Sequence, residues 1–254
     1  MFYRLAIALA LLTVIQTNCF TQQTESVASE ENAFDEEAAW QAIDQRPTPQ
    51  WWKDAKFGIF IHRGPYSVPA YSQVGNYSEW YWQDLVNPGR RSHEQVKSFH
   101  NRVYGEKFTY PDFVPQFKCE LFNPDEWAET FEQSGAKYVV LTSKHHDGYC
   151  LWPSAEADKS WGRPWSSTNC GPGRDLLGEL TTAVRKTDVK MGIYYSLYEW
   201  FNPLYTADIP LFVEKHMFPQ FKDVVTKYQP SVIFSDANGA TRHRLGGRPS
   251  CSPG

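Results

Sequence analysis

No stretch of this chain is long and apolar enough to span a membrane. Its one sustained apolar run, Leu5 to Ile15, falls short of the ~20 residues that a spanning helix needs. A basic block is missing too, and with a formal charge of −4 the chain offers no electrostatic footprint for nucleic acid. Neither HxH nor HExxH spacing occurs, which removes the usual sequence support for a zinc enzyme, and no cofactor is implied. Cysteine is sparse: beyond Cys19, only Cys119, Cys150, Cys170 and Cys251 are present, at spacings that match no zinc motif. In a secreted chain they leave one or two disulfides open, without a way to rank the pairings.

What is present begins with a secretory signature over residues 1–20: Arg4, the short apolar run, then polar Gln16-Thr17-Asn18. A lipid-anchored Cys19 is the lesser alternative. The expected destination is the secretory route, hence extracellular, lysosomal or periplasmic. Residues 21–50 are polar and acidic and close on Pro47 and Pro49, which predicts a mobile leader with one helical turn around Ala38 to Ile43. Asn76-Tyr77-Ser78 is a glycosylation sequon. Aromatic residues make up 16% of the chain, with ten tryptophans. Such rings pack cores, and they also suit the apolar C–H faces of carbohydrate.

Four short apolar runs predict strands buried on both faces, as in a parallel α/β sheet: Lys56–His62, Ala136–Ser143, Lys190–Leu197 and Ser231–Asp236. Helices fill the gaps. Asn123-Pro124-Asp125-Glu126 supplies an N-cap, a proline at the first helical position and acids in the first turn. Asp175–Lys186 lines up Leu176, Leu177, Leu180 and Val184 on one face, and a third helix is expected from Pro210 to Tyr228. The segment Gly64–Pro115 is too long for an ordinary βα loop and predicts a functional excursion. After Asp236 the pattern ends, so residues 237–254 read as a tail.

Titratable groups gather at the C-terminal strand ends: His62; Lys144-His145-His146-Asp147; Tyr194-Tyr195-Ser196 with Glu199-Trp200; and Asp236. That rim is where α/β sheets hold ligands. Two chemistries could use it. Metal hydrolysis could recruit His62, His145, His146 and Asp236, although neighbours on a strand point to opposite faces, so His145 and His146 share one ion only if the backbone bends. Glycoside hydrolysis needs one carboxylate as nucleophile, a second as acid/base, and side chains that read hydroxyls. The second fits the inventory better.

The motifs KFGIFIH (56–62), SVPA (67–70), EWY (79–81), KHHDG (144–148), LWPS (151–154), RDL (174–176) and YYSLYEW (194–200) resemble the retaining α-L-fucosidases of glycoside hydrolase family 29. The likeness runs from about Trp51 to Asp236. It implies a catalytic (β/α)₈ barrel of which residues 51–236 form the N-terminal half, an α/β fold with about four of eight TIM-like strands. It further implies Asp236 as nucleophile, and His62, Glu79, Trp80, His145 and His146 as sugar-binding residues. One tyrosine of the third strand should join them, Tyr195 by preference and Tyr194 by the alternation. Phe234 stands where the family often has a tryptophan packing on the sugar. The implied partners are fucosylated glycans or glycoproteins; homo-oligomerisation stays open.

Departures from the family pattern are also plain. Arg63 replaces a usual Trp beside His62, a cation expected to disturb packing or depress that histidine's basicity. The family's acid/base glutamate, its last four barrel strands and its β-sandwich domain have no counterpart here. The competing expectation is therefore a truncated, non-catalytic remnant that binds fucosylated glycan weakly or not at all.

Overall fold

The computed structural model describes residues 35–236. The predicted signal, residues 21–34 of the leader, the tail and Cys251 lie outside them. Among the described residues, those from Asp35 to Thr48 belong to a unit of their own. In it, α1 (Glu36–Asp44) is a two-turn helix capped by Asp35, whose carboxylate accepts from the Ala38 amide at 3.0 Å. The single helical turn expected there is thus longer than the sequence suggested.

The second unit starts at Pro49. A short helix α2 (Gln50–Asp54) leads into β1 (Gly58–Ile61), and the long excursion then carries α3 (Tyr81–Val86) and α4 (His93–Val103). Next come α5 (Pro124–Gln133), β2 (Tyr138–Lys144), α6 (Ala155–Trp161), α7 (Leu176–Val184) and β3 (Lys190–Ser196). The last stretch holds α8 (Pro203–Ala207), α9 (Ile209–Phe212), a π-helical turn (Val213–Met217), α10 (Phe218–Tyr228) and β4 (Val232–Asp236). All strand pairings are parallel, in the order β1-β2-β3-β4. The four strands and the capped helix at Asn123 lie within a residue or two of their sequence bounds. The third expected helix is instead interrupted by the π-turn, which periodicity alone does not reveal.

Period-two alternation sorts the strand residues onto two faces. Ile59, Ile61, Val139, Leu141, Met191, Ile193 and Tyr195 join one core with Phe131 of α5, Leu177, Leu180 and Val184 of α7, and Val224 of α10. The other face is concave. Rings from the two outermost strands, Phe60 and Phe234, meet edge-to-face at 5.1 Å although β2 and β3 lie between them. Small Gly192 at the centre permits this curvature: a Cβ there would stand 2.5 Å from Val232 Cγ1 and 3.1 Å from Val140 Cγ2. The expectation of strands buried on both faces holds for β2 and β3 only. Phe60 and Phe234 are about 40% and 42% exposed, because among the described residues β1 and β4 each have one neighbour.

The excursion is not a bare loop. Tyr66, Tyr81, Val96, Tyr110 and Phe113 form a second small core, and Tyr81 Oη and His100 Nδ1 are 2.9 Å apart inside it. Asn76 of the sequon belongs to this framework: its amide donates to Asp84 Oδ2 at 2.6 Å and Ser92 Oγ at 2.8 Å. A glycan on that nitrogen would displace one of the two bonds. Cys119, Cys150 and Cys170 are free thiols.

A methyl group at Gly192 tests the curvature. Gly192→Ala should cost about 1–3 kcal/mol by overpacking, seen as a lower urea midpoint; an unchanged midpoint would mean that β3 and β4 part easily.

Candidate active site

A backbone irregularity decides what reaches the rim. Between Thr142 and Lys144 the β2–β3 register shifts, so that Thr142 pairs with Tyr194 and Lys144 with Tyr195. The bulge inserts one residue, Ser143, whose hydroxyl donates to the Tyr194 carbonyl at 2.7 Å. Lys144 is thereby turned to the helix side, with its ammonium 4.2 Å from the Tyr195 ring centre. The strand ends there. His145 and His146 follow in a turn closed by a Gly148 N–H···O=C His145 bond of 3.0 Å, and their rings lie 4.2 Å apart. The bend that one shared site requires is therefore present.

On the concave face, His62, His145 and Tyr194 form a triangle of rings 5.2–5.4 Å apart. Tyr194 donates to Asp236 Oδ2 at 2.8 Å, and His146 Nε2 lies 3.6 Å from the same oxygen. The excursion contributes Glu79 and Trp80. Nitrogens of His62 and His145 and a Glu79 oxygen all lie within 4.8 Å of one another. Trp80 packs on Trp200 at 4.7 Å and on His146 at 5.6 Å, while Arg90 covers it at 4.3 Å. Asp236 keeps its side chain 46% exposed at the open end of this cluster.

Three readings need correction. Tyr195, preferred from sequence, points the other way: fully buried, it donates to Gln220 Oε1 at 2.8 Å under α10. Tyr194 holds the place beside Asp236, as the alternative alternation had it. Glu199 lies beneath the rim rather than on it, without exposed surface. Arg63 does not act on His62 as expected. It turns toward the Cys119 thiol at 3.7 Å and lies between the Phe117 and Trp127 rings, and His62 is shifted by other groups. Tyr66 was not singled out by the sequence, and Trp200 was placed at the rim without a role. Buried Tyr66 Oη and His145 Nδ1 have no partner, a signal that only coordinates carry.

Electrostatically the histidines are held neutral. Burial lowers the pKa of His62 against the pull of Glu79 and Asp236. It lowers His145 well below its ordinary value, with help from His146 and His62. His146 is pushed down to about 4, chiefly by burial and in spite of Asp236. Its tautomer is fixed. Ser196 Oγ donates to the Tyr198 carbonyl at 2.6 Å and so accepts from His146 Nδ1 at 2.6 Å, which leaves the Nε2 lone pair facing Asp236. Tyr198 Oη already lies 3.4 Å from that nitrogen, as expected of a neutral imidazole whose acceptor side suits hydroxyl donors. The undissociated phenol of Tyr194, its pKa raised by burial and by Asp236, suits a carboxylate.

The sequence matches the family described as alpha-L-fucosidase over residues 21–246. The chain belongs to the α-L-fucosidase family. It is 48% identical over 207 residues to an alpha-L-fucosidase of Dictyostelium discoideum, covering 78% of this chain and 43% of the relative. To the human tissue alpha-L-fucosidase it is 45% identical over 203 residues, covering 78% and 41%. The solved alpha-fucosidase of Thermotoga maritima in complex with a mechanism-based inhibitor superposes with a TM-score of 0.67 at 36% identity, covering 78% of this chain and 48% of that one. The same enzyme in complex with fucose gives 0.66 at 35%. The chain thus spans less than half the length of these relatives. Within this fucosidase fold, the four-stranded arc is a partial (β/α)₈ barrel. No helix of the described residues is long and apolar enough to cross a membrane.

The neutrality of His146 has a testable sign. Between pH 6.5 and about 4 the unfolded ring binds a proton that the folded ring does not. Its contribution to stability is therefore whole above the ordinary pKa and is lost as pH falls toward the folded one. An NMR titration of the ring nitrogens should show His146 still neutral at about pH 5, where an ordinary histidine is largely charged; a midpoint near the ordinary value would contradict the buried tautomer.

Proposed function

We propose that this chain is the fucose-binding, nucleophile-bearing part of a retaining α-L-fucosidase. The observation that carries the reading is the Asp236 carboxylate at the tip of β4, open to solvent, accepting from Tyr194 and facing a wall of neutral histidines. In the proposed chemistry Asp236 attacks the anomeric carbon, the glycosidic oxygen departs, and a fucosyl ester forms that water later hydrolyses. Tyr194 holds the attacking carboxylate. His146 Nε2 accepts a sugar hydroxyl proton, while His62, Glu79 and His145 read further hydroxyls. Trp80 and Phe234 offer apolar faces to the ring.

On this reading, residues 1–20 are a secretory signal, 21–50 an acidic leader, 51–236 the first half of the catalytic domain, and 237–254 a tail outside it. The substrates are fucosylated glycans met on the secretory route. Protonation of the leaving group falls to none of the residues named here; a general acid contributes around 10²–10⁴ in rate, so a substrate whose leaving group departs without a proton is the direct probe of Asp236. A non-catalytic fucose-binding remnant is the second reading.

A 2-deoxy-2-fluoro-α-L-fucosyl fluoride separates the two, because fluoride leaves without a proton and the C2 fluorine slows hydrolysis of the ester. Peptide mass mapping should find one adduct, on Asp236, absent from Asp236→Gly and suppressed by excess fucose. Labelling of Asp236→Gly at the native rate would sink the nucleophile assignment. Fucose binding without any adduct would favour the remnant.

The His62–Glu79–His145 group has donor spacing that a metal ion could also use. We assign it to sugar hydroxyls. Purified protein should carry less than stoichiometric zinc by elemental analysis, and fucose binding should survive EDTA. Stoichiometric metal whose removal abolishes binding would reverse the assignment.

A further inference from the structure

Behind the rim lies a saturated carboxylate. Glu199 Oε1 accepts from Lys144 Nζ and His216 Nε2, both at 2.7 Å; Oε2 accepts from Asn202 Nδ2 at 2.7 Å and Trp161 Nε1 at 2.9 Å. These bonds use all of the roughly four acceptor sites of a carboxylate. The donors come from the end of β2, from α6, from the β3–α8 loop and from the π-turn, which widens the helix where His216 enters. Burial pushes the Glu199 pKa up, but Lys144 and His216 outweigh it and hold the group below the usual carboxylate range. An anion with no exposed surface and no spare lone pair cannot trade protons with a substrate.

Its neighbours can touch one. Lys144 directly precedes His145-His146, and Glu199 directly precedes Trp200. The Trp200 amide donates to the His146 carbonyl at 2.8 Å, and its ring packs 4.9 Å from that of His146. Gly148, which closes the histidine turn at φ +73°, fits only because it lacks a side chain: a Cβ would stand 2.6 Å from Glu199 Oε2 and 2.7 Å from the Trp161 ring. A fully buried ion pair seldom adds net stability over an apolar pair of similar shape. What this one supplies is placement.

We propose that Glu199 is a positioning residue that clasps the His145-His146 turn to the Trp200 loop and so sets the geometry of the sugar-facing rings. The inference rests on the fucose-binding reading above. Glu199→Gln keeps the shape but turns an amide N–H₂ toward existing donors. Gly148→Ala leaves every hydrogen-bonding group in place and displaces the carboxylate sterically. Leu180→Ala, in the core under α7, serves as a control that destabilises without touching the clasp.

Two readouts apply: the ring resonances of His145 and His146, and L-fucose affinity by calorimetry. Glu199→Gln and Gly148→Ala should both shift the resonances and weaken fucose by roughly 10- to 100-fold, the scale of misplaced contacts. Leu180→Ala should lower the unfolding midpoint and leave both readouts alone. If Glu199→Gln fails to fold, Asn202→Ala removes a single donor and should give a smaller shift in the same sense. Native resonances and affinity in the folded Glu199 or Asn202 variant would overturn the proposal, as would an equal response from Leu180→Ala. Should the native chain not bind fucose, the fucose-binding reading fails while the ring resonances still decide the positioning role.

Discussion

One extra residue in β2 governs the rest of the structure. Strict alternation would send Thr142 and Lys144 to the same face, and the Lys144 ammonium would then stand among the rings of the concave side. The bulge at Ser143 flips it to the helix side, where Glu199 meets it at 2.7 Å. The strand then breaks, and two successive histidines can face one space. The Lys144 cation goes behind the sheet, and the imidazoles and the Tyr194 phenol stand in front of it beside the Asp236 and Glu79 carboxyls. Without that inversion, His146 would compete with a cation for Asp236.

The division of labour between the faces also explains how a sheet with open edges holds its site. The convex face of β2 and β3 is packed by α5, α7 and α10, so the strand ends on that side are fixed by burial. Burying a Val or Leu side chain is worth ~1.5–3 kcal/mol, and Val139, Leu141, Met191 and Ile193 are nearly or fully buried. The outermost strands lack such cover on the concave face. They are tied across it instead, by Phe60 against Phe234 and Tyr194. Asp236 therefore depends on an aromatic bridge as well as on its ladder to Ser196.

Much of this architecture is legible in the sequence, because the signals are local. Apolar runs of parallel-sheet type, the Asn123-Pro124 cap and the polar strand ends each follow from a few adjacent residues. What is not legible depends on register and on distant partners. Tyr194 and Tyr195 are equivalent until the β4 pairing shows which hydroxyl meets Asp236. Glu199 reads as a rim carboxylate because it neighbours Trp200, and only the convergence of Lys144, Trp161, Asn202 and His216 shows that it is spent. Arg63 reads as a perturbation of His62 from adjacency alone, yet consecutive side chains diverge, and it lodges against Cys119.

The site's electrostatics follow from the same geometry. Three imidazoles with lowered pKa values bring no positive charge to the concave face beside Asp236. Its stabilisation comes from the Tyr194 hydroxyl and from solvent at its exposed edge. Among the described residues, one side-chain donor, the Tyr194 hydroxyl, reaches that carboxylate. In the proposed chemistry, positive charge that develops on the sugar would face Asp236 and these neutral rings. The buried Lys144–Glu199 pair completes this logic. Glu199 holds the Lys144 ammonium at 2.7 Å behind the sheet, on the side away from Tyr194 and Asp236.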